Sequence, residues 1–186
     1  MMIEATKPGA ISRRIESFWA ATSRRQLEES LIHLFPALDE TAKRRRPKAG
    51  VGHRIRSFLA DQEAIMSAIA TGNVMKNIYV DGVSFPQAIY LFGRNAIMHE
   101  GELDPRLQIT DANELSIGKT WVLPRSYVLG IAVAVMIAPE NARERLANQG
   151  SITLFGRDWR LNELWGAESA LKSAIAARFR HPNLFR

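Results

Sequence analysis

Cysteine is absent from the 186 residues, which excludes disulfides and cysteine-based metal sites and points to a reducing, cytoplasmic setting. Long apolar runs are missing as well. The most hydrophobic stretch, Tyr127 to Ala138, is too short to span a bilayer and reads as a buried helix. The amino-terminal MMIEATKPGAISRR has no apolar core of signal-peptide type, so no membrane partner is expected. There is no GxSxG, no GxGxxG and no phosphate-binding loop ending in Gly-Lys and Ser or Thr. The four histidines are scattered, with no two at metal-ligand spacing, so neither a metal nor any other cofactor is expected. Asp104, Asp111 and Glu114 could gather near one another. Without a second acidic cluster, however, a two-metal nuclease has little support.

What is present is a chain of ordinary globular composition, 46% hydrophobic and 24% charged, with 25 Lys and Arg against 19 Asp and Glu. The net charge of +6 suits an anionic partner such as RNA, and equally suits solubility alone. No repeat or linker divides residues 1–186, and one mainly α domain is expected, decorated by one or two small β-hairpins. Apolar spacing predicts helices over 11–21, over 23–46 with a kink or break at Pro36, and over 53–70, ending at Gly72–Asn73. His33 reads as a core or boundary histidine. A connector over 74–83 turns at Asp81–Gly82. Residues 107–123 read as a hairpin or long structured loop, a wall or lid over any cleft. Pro124 opens the most apolar helix, which is expected to pack on the helix before it, and Pro139 ends it or opens a short successor. A second hairpin is expected over 151–161, turning near Gly156–Arg157–Asp158. Asn162 is expected to cap a last helix over 163–179, followed by a loosely held tail in which His181 is set aside as a catalyst.

The chain turns on Ser84 to Gly101, SFPQAIYLFGRNAIMHEG. Ser84 can cap a helix, Pro86 falls in its first turn and Gly101 can take a left-handed C-terminal cap. Between these ends Ile89, Leu91, Phe92, Ala96, Ile97 and Met98 demand burial, yet Arg94, Asn95 and His99 interrupt them. At a helical rotation of about 100° per residue, Arg94 and His99 lie about 140° apart with Asn95 between them. Asn95 is then the i,i+4 neighbour of His99 and is placed to fix its tautomer. A fixed cation, a group titrating near neutral pH and an orienting amide are suitable parts for cleaving a phosphodiester without a metal.

RNAIMH resembles the signature of the HEPN superfamily (higher eukaryotes and prokaryotes nucleotide-binding domains): Arg, a polar residue that is often Asn, three further residues and His, near the end of a core helix. The resemblance implies a helical bundle of HEPN type that commonly dimerises. Two motifs then face each other and form a metal-independent endoribonuclease site. Carried over residue by residue, it implies Arg94, Asn95 and His99 as catalytic residues, a homodimer and an RNA substrate. Many nucleases of this family serve as toxins or in defence, often beside a protein antitoxin.

The run Lys43, Arg44, Arg45, Arg46, Lys48, interrupted by Pro47, reads either as a solvated turn or as an RNA-binding track for phosphates. The alternative to an enzyme is a non-catalytic helical module that binds RNA or protein, with Arg94 and His99 in a structural network.

Overall fold

The most apolar segment becomes the centre of the molecule. In the computed structural model, which describes residues 9–185, Ser126–Ile137 forms a helix in which Tyr127, Val128 and everything from Gly130 onward is buried. A helix apolar on all sides has no face for water and must be surrounded. In chain order the helices are α1 (Ala10–Ser23), α2 (Leu27–Arg45), α3 (Val51–Thr71), the motif helix α4 (residues 85–100), the central helix as α5, and α6 (Glu168–Arg178). The mainly α expectation with small β insertions holds. The packing of α5 differs from expectation, because its chief neighbours are α3 and α2. It meets α4 through Tyr127, whose ring centroid lies 5.3 Å from that of Phe85. The α3–α5 crossing is close because residue 130 is glycine. A β-carbon there would stand 3.0 Å from the Met66 carbonyl oxygen.

Pro36 does not divide α2, which is helical from Leu27 to Arg45. Proline removes one helical donor, while Leu34, Phe35, Ala37 and Leu38, buried on both sides of it, hold the turn in place. β1 (Tyr79–Val80) and β2 (Val83–Ser84) pair antiparallel about Asp81–Gly82, both at positive φ (51° and 81°), as a tight hairpin requires. Residues 107–123, expected as a hairpin or long structured loop, hold an antiparallel pair of strands to which a third strand is added in parallel. β3 (Leu107–Thr110), β4 (Ser116–Ile117) and β5 (Trp121–Pro124) form a sheet of order β3-β5-β4 in which β3 and β5 run parallel. Parallel pairing sets Leu107 opposite Trp121, so the two buried side chains share a face. The second hairpin forms as expected from β6 (Ser151–Leu154) and β7 (Arg157–Arg160), with its turn at Phe155–Gly156.

Asn162 does not cap the last helix. Its side chain accepts from the Leu146 N–H at 2.8 Å and donates to the Leu146 carbonyl at 3.1 Å. A 3₁₀ turn (Leu161–Glu163) and Gly166, at φ 74°, delay α6 to Glu168. The tail is also tied down, because the Lys76 ammonium donates to the Leu184 carbonyl at 3.0 Å and lies over the Phe185 ring.

The end of α2 is braced by ion pairs. Arg44 donates to Glu144 at 2.9 Å and to Asn141 at 3.0 Å. Glu144 also accepts the Ser12 backbone N–H at 3.1 Å and the Ser12 hydroxyl, in the first turn of α1. Asn141, fully buried, donates to Thr41 at 2.9 Å and to the Val135 carbonyl at 2.7 Å. Arg45 reaches Glu140 at 2.9 Å, Glu168 at 3.1 Å and Asp61 at 3.3 Å, with its guanidinium over Phe58. Arg46 joins Asp61 at 2.8 Å. Burial raises Glu144 and Glu168, but hydrogen bonds from Ser12 and Arg44 to the first, and from Lys172 with the charge of Arg45 to the second, hold both below the usual glutamate range.

Gly130→Ala is expected to lower the unfolding free energy in urea by about 1–3 kcal/mol, because the obstructing atoms belong to the α3 backbone and cannot swing aside. Arg45→Ala should cost about 3 kcal/mol, as for a broken buried pair, while Lys43→Ala, at an exposed site, should stay within about 0.5 kcal/mol. A carboxylate lowered by folding stabilises above its unfolded pKa, about 4.3 for glutamate, and that contribution is lost as pH falls through the lowered folded value. Urea midpoints should therefore drop as the pH falls below about 4.3, with a shallower acid dependence in Glu144→Gln.

Candidate functional site

The motif helix begins and ends as its sequence predicts. Ser84 caps it, accepting from the Gln87 N–H at 3.3 Å, while the Gln87 side chain accepts from the Ser84 N–H at 2.9 Å. Glu63, buried in α3, accepts the N–H groups of Asn77 and Ile78 at 2.8 and 2.9 Å. The Ile78 carbonyl in turn accepts from Phe85, at 2.9 Å, in the first turn of the motif helix. Burial of Glu63 raises its carboxyl against those two bonds, and burial with the Glu63 charge pushes Tyr127 up to about 12. Gly101 closes the helix at φ 82°.

The middle of α4 is not α-helical. After Phe85–Ala88 the chain passes through a π-helical stretch, Ile89–Asn95, before Ala96–Glu100 resumes the α form. Such stretches are rare and widen the helix by an extra residue per hydrogen-bonded ring. Two contacts hold this one. The Asp104 N–H donates to the Phe92 carbonyl at 3.0 Å. Gly93 is pressed against Phe35 and Leu107, so that a β-carbon would lie 3.1 and 3.2 Å from their side chains. The segment after Gly101 thus lines the buried side of the motif helix. Arg106 lies over Phe92 at 4.1 Å and hydrogen-bonds Asp104, which holds that carboxyl down to about 2.

The π stretch ends at Asn95, and Asn95 and His99 keep α-helical spacing through Ala96–Glu100, yet the expected Asn95–His99 bond is not formed. Asn95 instead accepts from Arg94 Nη1 at 3.2 Å. Arg94, whose side chain is 19% exposed, also reaches Asp39 Oδ2 on α2 at 3.5 Å. The other oxygen of Asp39 is held by Arg54 of α3, through Nε at 2.9 Å and Nη2 at 2.6 Å. His99 is exposed one turn beyond, near the helix end, and has no hydrogen-bond or ion-pair partner among the described residues. Arg94 and Asn95 are therefore brought together, while His99 stands apart in solvent beside the exposed Glu100 and Glu102. Leu91 and Met98, both 43% exposed, lie on the same helix before and after Arg94–Asn95.

Of the expected phosphate track, Arg44, Arg45 and Arg46 belong to the brace at the end of α2, and Lys43 and Lys48 are exposed. Sequence reasoning missed Asp39, Arg54, Arg56 and Tyr90. Arg56 lies over the Tyr90 ring at 5.3 Å, and Tyr90 packs against Gly52, where a β-carbon would meet its hydroxyl at 3.0 Å. Nothing local marks these residues, since they come from three different helices. Among the described residues no group of three His, Cys, Asp or Glu side chains is placed to hold a metal ion. Asp104 and Asp111 pair with Arg106 and Arg125. No helix among the described residues is long and apolar enough to cross a membrane. A cavity of about 280 Å³, lined mainly by Phe18, Trp19, Leu27, Val128, Leu129 and Ile152, includes none of the motif residues.

Compared with known proteins, residues 10–184 match the model of a family described as Rv1289. The uncharacterized protein Rv1289 of Mycobacterium tuberculosis (strain ATCC 25618 / H37Rv) is 25% identical over 170 residues, 82% of this chain and 81% of the relative. The uncharacterized protein Mb1320 of Mycobacterium bovis matches to the same extent, 25% over 170 residues with 82% and 81% coverage. No solved structure matches. With the family model matching nearly the whole described length, the chain belongs to the Rv1289 family.

Proposed function

We propose that the protein is a metal-independent endoribonuclease of HEPN type, acting as a homodimer. The observation that carries this reading is the division of labour along α4. Arg94 is half-buried and held by Asp39 and Asn95, whereas His99 is exposed and uncommitted on the same helix. A cation pre-positioned by its neighbours suits the neutralisation of charge on a phosphorane. An imidazole in solvent is open to a substrate hydroxyl. His99 would accept the proton of a ribose 2′-hydroxyl or donate one to the leaving 5′-oxygen, and a second His99 across the dimer would take the complementary role. The product would carry a 2′,3′-cyclic phosphate. Exposed Leu91 and Met98, flanking Arg94 and Asn95, support a second copy seated on this face. In this reading Asn95 serves Arg94 rather than His99.

A second reading, the non-catalytic binding module, draws on the same ion pair, because Arg94–Asp39–Arg54 ties three helices and has a sufficient structural role without catalysis. The two part on His99. Incubated with total RNA in EDTA, the wild type should cut and leave cyclic phosphate ends. His99→Ala should lose at least about 100-fold in rate, as expected for a general acid or base, with its urea midpoint unchanged. Arg94→Ala should lose activity and about 1–3 kcal/mol of stability, because Asp39 loses a partner. Cleavage by His99→Ala at the wild-type rate would sink the nuclease reading, as would a strict monomer at micromolar concentration.

A further inference from the structure

The positive charge of this chain is not where its basic run lies. At the end of α2, Arg44, Arg45, Arg46 and the nearby Lys172 are four cations facing five carboxylates, Glu40, Asp61, Glu140, Glu144 and Glu168. That cluster has no positive charge left over for a phosphate. Beside the motif the balance is reversed. Arg54, Arg56 and Arg94 are three guanidiniums recorded against one carboxylate, Asp39, a surplus of two positive charges.

Within that group the three arginines are unequal. Arg54 is spent on Asp39, with two bonds to one oxygen. Arg94 is held loosely, at 3.5 Å. Arg56 has no carboxylate partner among the described residues, and its guanidinium is steadied over the Tyr90 ring at 5.3 Å. The arrangement is built from the backbone up. Gly52 leaves the space that the Tyr90 hydroxyl fills, Arg56 follows one α3 turn later over the ring, and Arg94 follows Tyr90 one turn along α4. An arginine with a free guanidinium, immobilised beforehand, is suited to a phosphate because little side-chain freedom is lost on binding.

We infer that single-stranded RNA reaches the motif over the α3–α4 face, with Arg56, seated on Tyr90, holding a backbone phosphate next to the one at Arg94. This rests on the nuclease reading for the identity of the nucleic acid, and replaces the 43–48 run as the phosphate track. The residues at 44, 45 and 46 act as a brace, and Arg56 acts as a binding residue.

The test uses the full chain and a fluorescein-labelled oligothymidylate DNA, which lacks the 2′-hydroxyl and is not cut. Affinity is read by anisotropy across a series of salt concentrations. Each phosphate contact to a single strand contributes about 0.7 to the slope of log K against log salt. Arg56→Gln should weaken binding several-fold at low salt and reduce the slope by about 0.7, while Arg56→Lys should recover the slope. Tyr90→Leu should weaken binding through release of Arg56. Thermal unfolding by circular dichroism checks each fold. An unchanged slope in Arg56→Gln overturns the inference, as does a slope lost only in a Lys43→Gln, Lys48→Gln double variant, or failure of the wild type to bind at low salt. RNA cleavage in EDTA by the same proteins separates the two claims. Cleavage with an unchanged Arg56→Gln slope removes this surface and leaves the nuclease, whereas a reduced slope with no cleavage keeps the surface and removes the nuclease.

Discussion

A single carboxylate, Asp39, sits where three helices meet, and the geometry of the motif face depends on it. α2 supplies Asp39, α3 supplies Arg54 and α4 supplies Arg94. Partly buried guanidiniums need such a partner, because their desolvation is otherwise uncompensated. By dividing its two oxygens between two arginines, Asp39 ties Arg94 of α4 to α2 and α3, while Leu91, Met98 and His99 of the same helix stand in solvent. The 2.6 Å and 3.5 Å contacts are unequal, and the inequality matters. Arg54 is the structural partner, and Arg94 keeps donors available for another acceptor.

The brace at the end of α2 follows the same rule with a different result. Arg45 is 15% exposed and touches three carboxylates, each from a different part of the chain after α2. Glu144 links the start of α1 to the end of α2 by accepting from both Ser12 and Arg44. Here the charges cancel locally and contribute cohesion, whereas beside α4 they do not cancel. An overall charge of +6 therefore says little about which surface meets an anion. The distribution is set by where the acids fall after folding.

This explains which features were legible before folding. The ends of α4 are local chemistry, Ser84 with Gln87 at one end and Gly101 at the other, and local chemistry can be read from a window of sequence. The β1–β2 and β6–β7 hairpins are local for the same reason. The charge balance around residues 44 to 46 is not local, because their partners at Asp61, Glu140, Glu144 and Glu168 lie 15 to 123 residues away. Neither is the β3–β5 pairing, which requires the chain to return through β4 before Leu107 and Trp121 can share a face. The π stretch is the clearest case. Its 3.6-residue pattern of apolar side chains is that of an ordinary helix. What widens it is Gly93 wedged against Phe35 and Leu107, and the Asp104 N–H donating to Phe92 from outside the helix.

The partner that Asn95 takes bears on how a site could be assembled from these residues. An Asn95–His99 bond would have produced a pre-formed imidazole–amide unit on one chain. The observed geometry pairs Asn95 with Arg94 instead, so Arg94 is held by the fold and His99 is not. Catalytic hydrogen bonds commonly tighten only when substrate is present, and an unpartnered His99 is consistent with that order of events. If the site is completed by a second chain, the exposed side chains of α4 must supply both the apolar contact, through Leu91 and Met98, and the second imidazole. One helix face then carries association and chemistry together, so that a monomer could be fully folded and yet inactive. Restraint of activity through assembly would then require no residue beyond those already on α4.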